Sequence, residues 1–178
     1  MGLITTTRAI EIQPALEAFS TAEIQTAIDS ASKFVESWCG RIFSLETVVN
    51  EVIRTDQFGY HFLARTPVIS GTLSLTFEGA SVEAFVVNNN SGELYCPGYP
   101  DRYLKVSYQG GYATIPAGIE LAVASITLRM LERLKMSVGI SAKEIGSVKT
   151  QFVGAGDNYS QIDQSIKAIL APYWRGSL

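Results

Sequence analysis

The stretch YLKVSYQGGYATIPAGIELAVASITLRML, Tyr103 to Leu131, carries both structural periods of this chain in one run. At its start Leu104, Val106 and Tyr108 alternate with Tyr103, Lys105 and Ser107, which gives a β-strand one buried and one wetter face. After Gly110-Gly111 the period changes. Pro116 suits the first turn of a helix, because its missing N–H would be unpaired there in any case, and Ala117 to Met136 reads as one long helix. Ile119, Ala122, Val123, Ile126 and Met130 form one stripe of that helix, while Leu121, Leu128 and Leu131 lie on another side. A helix apolar over more than one face is either central to its domain or meets another subunit with its second face.

Working outward, period-2 patterning extends back to Glu46, with turn residues recurring every eight to twelve positions. Leu73, Leu75 and Phe77 make a second alternating strand. Glu78-Gly79-Ala80-Ser81 turns into a strand over Val82–Val87, and Asn88 to Gly92 turns into Glu93-Leu94-Tyr95. Val48–Arg54 and Tyr60–Ala64, joined across Asp56 to Gly59, supply a further pair, with Val48-Val49 and Val52-Ile53 leaving their register open. Sequential hairpins predict an antiparallel sheet. Ahead of this region Ser20-Thr21-Ala22-Glu23 is a capping box, and Ile24, Ala27, Ile28, Ala31, Val35 and Trp38 follow at helical spacing until Gly40. Beyond the long helix come a weak strand or extended loop from Ile145 to Val153, a break at Gly154 to Asn158, and a last helix bearing Ile162, Ile166, Ile169 and Leu170, bent by Pro172. The fold class is therefore α+β: a small bundle of three main helices with an inserted antiparallel β-sheet or barrel-like region. The expected organisation is one domain over 1–178, with a first helix at 20–40, the β insertion at 46–112, a central helix at 116–136 and a C-terminal helix and tail at 160–174.

At 178 residues, 47% hydrophobic and 17% charged, the chain is too apolar for disorder and somewhat poor in charge for a lone solvated monomer. Its net charge of -3 lacks the basic excess that general binding to phosphate backbones requires. The most apolar stretch, Ala117 to Leu131, is too short for a membrane span and contains Glu120 and Arg129. With no apolar core in Met1 to Glu11 to serve as a signal peptide, a soluble protein with two free thiols, Cys39 and Cys96, is expected.

Catalytic chemistry has little to work with. His61 is the only histidine, so imidazole catalysis or a histidine metal site must use it; zinc would need Cys39, Cys96, His61 and a carboxylate to converge from unrelated elements. Gly154-Ala155-Gly156 lacks the third glycine of a dinucleotide loop, and no phosphate-loop motif occurs, so no cofactor is expected. Glu23 with Glu36, or Glu120 with Glu132, are the conceivable carboxylate pairs. Two other readings stay open: a ligand- or carbohydrate-binding β module with Tyr95, Tyr99 and Tyr103 in a groove, and a hydrolase using His61. Trp174 and Arg175, residue types common in binding hot spots, stand near the chain's end.

Four phrases, in order, resemble the head-to-tail connector (adaptor, or head-completion) proteins of tailed bacteriophages. They are the helix ending Phe34-Val35-Glu36-Ser37-Trp38-Cys39-Gly40-Arg41-Ile42-Phe43; Leu63-Ala64-Arg65-Thr66-Pro67-Val68-Ile69-Ser70; Val106-Ser107-Tyr108-Gln109-Gly110-Gly111-Tyr112 followed by Ile115-Pro116; and Leu170-Ala171-Pro172-Tyr173-Trp174-Arg175. The first segment, Met1 to Phe19, and the glycine-rich break depart from the pattern. The resemblance implies a non-enzymatic virion protein of the neck, made in the host cytoplasm. It implies a ring, dodecameric in the particle, that docks beneath the portal protein and extends the DNA channel toward a stopper or tail protein, with no membrane partner and no sequence-specific DNA binding. It makes Tyr173, Trp174 and Arg175 candidates for portal contact. Lateral packing in such a ring makes Leu121, Leu128, Leu131 and Arg129 candidates for the subunit interface.

Overall fold

The capping box forms as its spacing requires. The Ser20 N–H donates to Glu23 Oε2 at 2.8 Å, the Glu23 N–H donates back to Ser20 Oγ at 3.4 Å, and the helix they start, α2, spans Thr21–Cys39. Ile24, Ala27, Ile28, Ala31 and Val35 are buried along it, and Gly40 ends it at φ 65°. The computed structural model describes residues 2–136, 142–145, 148–151 and 164–174. The break at Gly154 to Asn158, Ile162 and Arg175 lie outside the described residues.

The chain divides into two compact units, one of Met1–Cys39 with Pro116–Trp174, the other built on Gly40–Ile115. In the first, the segment Met1 to Phe19, to which the sequence assigned no element, contains a helix, α1 (Thr6–Ile12), capped by Thr5 and followed by a 3-10 turn at Pro14–Ala18. Seven residues make too short a helix to stand on propensity. Tertiary contacts hold it: Arg8 is bonded to Glu11 at 2.9 Å and to Glu120 at 3.0 Å, and Ala9 and Leu16 are fully buried. The central helix α3 (Ala117–Met136) packs against α2 and against α4 (Gln164–Leu170), which continues as a 3-10 turn through Tyr173. Between them a ribbon of β8 (Ala142–Ile145) and β9 (Val148–Gln151) stands where the sequence suggested one extended piece from Ile145.

The second unit is β throughout, and it contains two antiparallel sheets rather than one. The first has the order β1 (Glu46–Arg54), β7 (Tyr103–Gly110), β3 (Ser74–Phe77), β4 (Ala80–Ser81); the second has the order β2 (Tyr60–Phe62), β6 (Glu93–Tyr95), β5 (Val86–Asn88). Thus β1 and β2 are not a hairpin pair. Between them the Asp56 carboxylate accepts the N–H groups of Phe58 and Tyr60, each at 2.8 Å, in a tight turn that carries the chain from one sheet to the other. Neither sheet closes into a barrel. Ile53, Leu63, Leu75, Val82, Leu94, Leu104, Val106 and Tyr108 form the core of this unit.

The open register of β1 has a physical answer. Val48 pairs with Tyr108 and Glu51 with Val106, so β1 holds one extra residue, a bulge in which Asn50 takes φ 55° and gives its N–H to Ser107 Oγ at 2.9 Å. The bulge switches which alternate residues face inward, placing Val48 and Ile53 on the same core.

The two glycines after β7 answer to crowding. A Cβ at Gly110 would lie 2.5 Å from the Arg65 carbonyl oxygen, and one at Gly111, where φ is 107°, would strike the Ser44 carbonyl. Gly111→Ala should therefore cost about 2 kcal/mol or more and lower the melting temperature by about 5 °C or more, followed by circular dichroism. A wild-type melting curve would show that the backbone there is not confined.

Candidate interaction interface

The solvent side of α3 is narrower than its sequence pattern suggests. Ile119, Ala122, Val123, Ala124, Ile126 and Thr127 are all buried, and so is Leu131, at 2% exposure. Leu131 therefore belongs to the unit's own core and leaves the candidate subunit face. Helical geometry explains it: at 3.6 residues per turn Leu128 lies about 20° round the helix from Leu121, but Leu131 about 80°. What remains is a line of Leu121, exposed, and Leu128, half-buried, with Arg129, exposed, about 80° round the helix from Leu121 on the side away from Leu131.

The C-terminal candidates divide in a similar way. A Cβ at Gly118 would lie 3.5 Å from both the Tyr173 hydroxyl and Ile169 Cγ2, an ordinary contact distance, so the Tyr173 ring lies against the first turn of α3. Tyr173 is half-buried, whereas Trp174 is 55% exposed; its indole is not folded into the core. A second partly exposed indole, Trp38, lies in the same helical unit, stacked on Phe34 with Lys167 Nζ 5.7 Å from its ring centre.

In the β unit the aromatic residues are distributed rather than gathered. Tyr95 stacks on Tyr60 at 4.5 Å, Tyr99 packs on Phe77 beside the core, and Tyr103 lies 64% exposed under the Arg54 guanidinium. An open depression of about 490 Å³ is lined by Arg54, Thr55, Asp56, Tyr60, His61, Phe62 and Asp101, and by none of those three tyrosines. His61 Nδ1 is engaged with the Arg54 carbonyl at 2.9 Å. Arg54 itself is bonded to Asp101 at 2.7 Å, and this hydrogen bond raises its pKa further.

The carboxylate pairs considered for catalysis are fixed apart by their helices. Glu23 and Glu36 stand thirteen residues apart on α2, about 20 Å at 1.5 Å per residue; Glu120 and Glu132 are about 18 Å apart on α3. Both separations far exceed the roughly 5–9.5 Å of glycosidase pairs. Glu23 serves the capping box, whose hydrogen bonds from Ser20 lower its pKa, and Glu120 holds Arg8. Among the described residues no three His, Cys, Asp or Glu side chains are grouped to hold a metal, and no helix is long and apolar enough to cross a membrane.

Set beside known proteins, residues 3–175 match the family model described as "Head completion protein". The fold is similar to a chain in the neck of an empty GTA particle computed with C6 symmetry, with a TM-score of 0.58 and 12% identity over 96% of this chain and 90% of that one. It is also similar to a chain in the neck of a native GTA particle computed with C12 symmetry, with a TM-score of 0.55 and 11% identity over 98% and 93%. No curated protein matches the chain.

Cys39 and Cys96 are both fully buried, and burial pushes the Cys96 thiol up to about 11. At pH 8 about one Cys96 in a thousand is then thiolate. A thiol reagent such as Ellman's should label neither cysteine in the native protein and both after denaturation. Because folding raises this pKa, Cys96 favours the native state up to about pH 9, and that contribution fades as pH climbs toward 11. Rapid native labelling at pH 8 would contradict the burial.

Proposed function

This chain belongs to the head completion protein family, and from that premise we propose that it is a structural subunit of a phage-type neck: one member of a ring that joins the capsid portal to the tail or stopper and extends the DNA channel. The observation that carries the reading is the match of the family over residues 3–175, supported by a fold shared along nearly the whole chain with neck components. The activity is mechanical rather than chemical. Supporting a non-catalytic role, His61 is spent on a backbone contact and the candidate carboxylates stand too far apart for paired acid and base work.

A ring of identical subunits closes through two different patches per subunit, a heterologous contact repeated until it meets itself. The side of α3 with Leu121, Leu128 and Arg129 is our candidate for one of them. For the portal we propose Tyr173, Trp174 and Arg175, with Tyr173 anchored on Gly118 and Trp174 presented outward. A large aromatic already exposed and attached to a fixed neighbour loses little freedom on docking. The net charge of -3 fits a wall that duplex DNA slides past, because releasing few counterions gives little adhesion.

Light scattering and negative-stain images, on the purified chain and on the chain with its portal, should show closed rings; a strict monomer under both conditions would overturn the proposal. Leu128→Asp should stay folded and fail to assemble, whereas Ile126→Asp, at an 8% exposed core position, should unfold. Two unfolded variants would remove Leu128 from the interface. Trp174→Ala should weaken capture by the portal at least tenfold while leaving the melting temperature unchanged, and wild-type capture would exclude the indole from that contact.

A further inference from the structure

Tryptophan is on average a well-buried residue, yet both tryptophans of this chain reach solvent: Trp38 is 38% exposed and Trp174 55%. Both belong to the helical unit, Trp38 in the last turn of α2 and Trp174 at the end of the 3-10 turn that prolongs α4. α4 is the element that relates them. Its Ile166 and Leu170 are buried, Ile169 and Tyr173 lie against Gly118 of α3, and Lys167 lies on the flank toward α2, its ammonium 5.7 Å from the centre of the Trp38 ring. Counting 100° per residue in the helix and 120° in the 3-10 turn places Trp174 within about 60° of Lys167 and about 12 Å farther along the same axis. Trp38, Lys167 and Trp174 thus follow one another along one side of the unit.

Each indole is held before anything docks on it. Phe34 stacks on Trp38 at 6.4 Å, while the Trp174 N–H is bonded to the Ala171 carbonyl at 3.2 Å and the neighbouring Tyr173 rests on α3. An indole offers a broad apolar face with a single polar N–H, so two of them fixed at a surface favour apolar side chains and lose little freedom on meeting them. Lys167 between them is half-buried, and among the described residues no carboxylate is paired with it. The group that complements a cation with an indole on either hand is a carboxylate flanked by apolar side chains, because an ion pair enclosed by rings is screened less than one on an open surface.

We propose that Trp38, Lys167 and Trp174 form one docking strip for the portal, and that it takes a portal segment carrying a carboxylate between two apolar side chains. This inference rests on the neck reading above and extends its portal site from the end of α4 to the last turn of α2. The two indoles supply contact area. Lys167 selects the segment and its register, since a basic residue brought opposite would leave two cations facing each other.

Capture by the portal tests the strip. Trp38→Ala and Lys167→Glu should each weaken capture at least tenfold, whereas Lys167→Arg, which keeps the charge, should be captured like the wild type. In Trp174→Phe the only indole left is Trp38; introduced as 5-hydroxytryptophan and excited selectively, it should lose about half or more of its acrylamide quenching when unlabelled portal is added to saturation. If Trp38→Ala lowers the melting temperature, the quenching measurement, which keeps the ring, decides. Wild-type capture of a folded Trp38→Ala, or unchanged quenching of Trp38 in the complex, would overturn the strip while leaving Trp174 and the neck reading in place. Wild-type capture of Lys167→Glu would overturn the carboxylate partner. A wild-type chain that does not engage the portal at all would instead overturn the neck reading.

Discussion

The rung that pairs Glu46 with Gly110 is the constraint on which the architecture depends. Residues 40–116 are inserted between α2 and α3, and such an insertion is accommodated most simply if the chain leaves where it came in. The β1–β7 ladder brings the ends together, and the segments beyond it tighten the closure. Tyr112 N–H bonds the Phe43 carbonyl at 2.7 Å, Gly111 N–H bonds the Pro67 carbonyl at 2.9 Å, and Arg65 bonds both the Ser44 carbonyl and the Glu46 carboxylate. Three backbone segments meet with no room for side chains at Gly110 and Gly111. Distal to this neck of chain lie both sheets and their core.

Elements governed by local rules were legible in the sequence. The capping box and Gly40 bound α2 at both ends, and alternation along β7 named Leu104, Val106 and Tyr108 as core residues. What escaped depends on distant partners. α1 is held by Arg8 reaching Glu120, which no spacing rule connects. The bulge at Asn50 needs Ser107 on the neighbouring strand, and the passage from one sheet to the other depends on Asp56 capping its own turn. Val82 is buried as an apolar residue in that pattern should be, yet β4 ends at Ser81, so hydrophobicity located the core better than it located the strand.

The candidate surfaces were legible to a similar degree. The pattern of α3 showed that one face could not account for all its apolar residues, but small angular differences decide which of them see solvent. Leu121 and Leu128 share a line along the helix, and Leu131 turns into the core. The tyrosines of the β unit, close in sequence, are sent to different places because Tyr95 ends β6 in one sheet, Tyr103 begins β7 in the other, and Tyr99 lies in the connection between them. Family resemblance carried what residue chemistry did not: nothing in the composition specifies which larger object the protein helps to build.

The joined ends of the insertion bear on how the molecule transmits force. Tension applied along the chain reaches the β unit at Glu46 and Gly110, two neighbouring points at one end of an antiparallel pair. Such a load peels the ladder rung by rung instead of shearing all its hydrogen bonds together, which is the weak direction of a sheet. The inserted β unit is therefore held at its base by rungs that open one at a time, so its resistance to tension along the chain is set by the first few of them, from Glu46 and Gly110 inward.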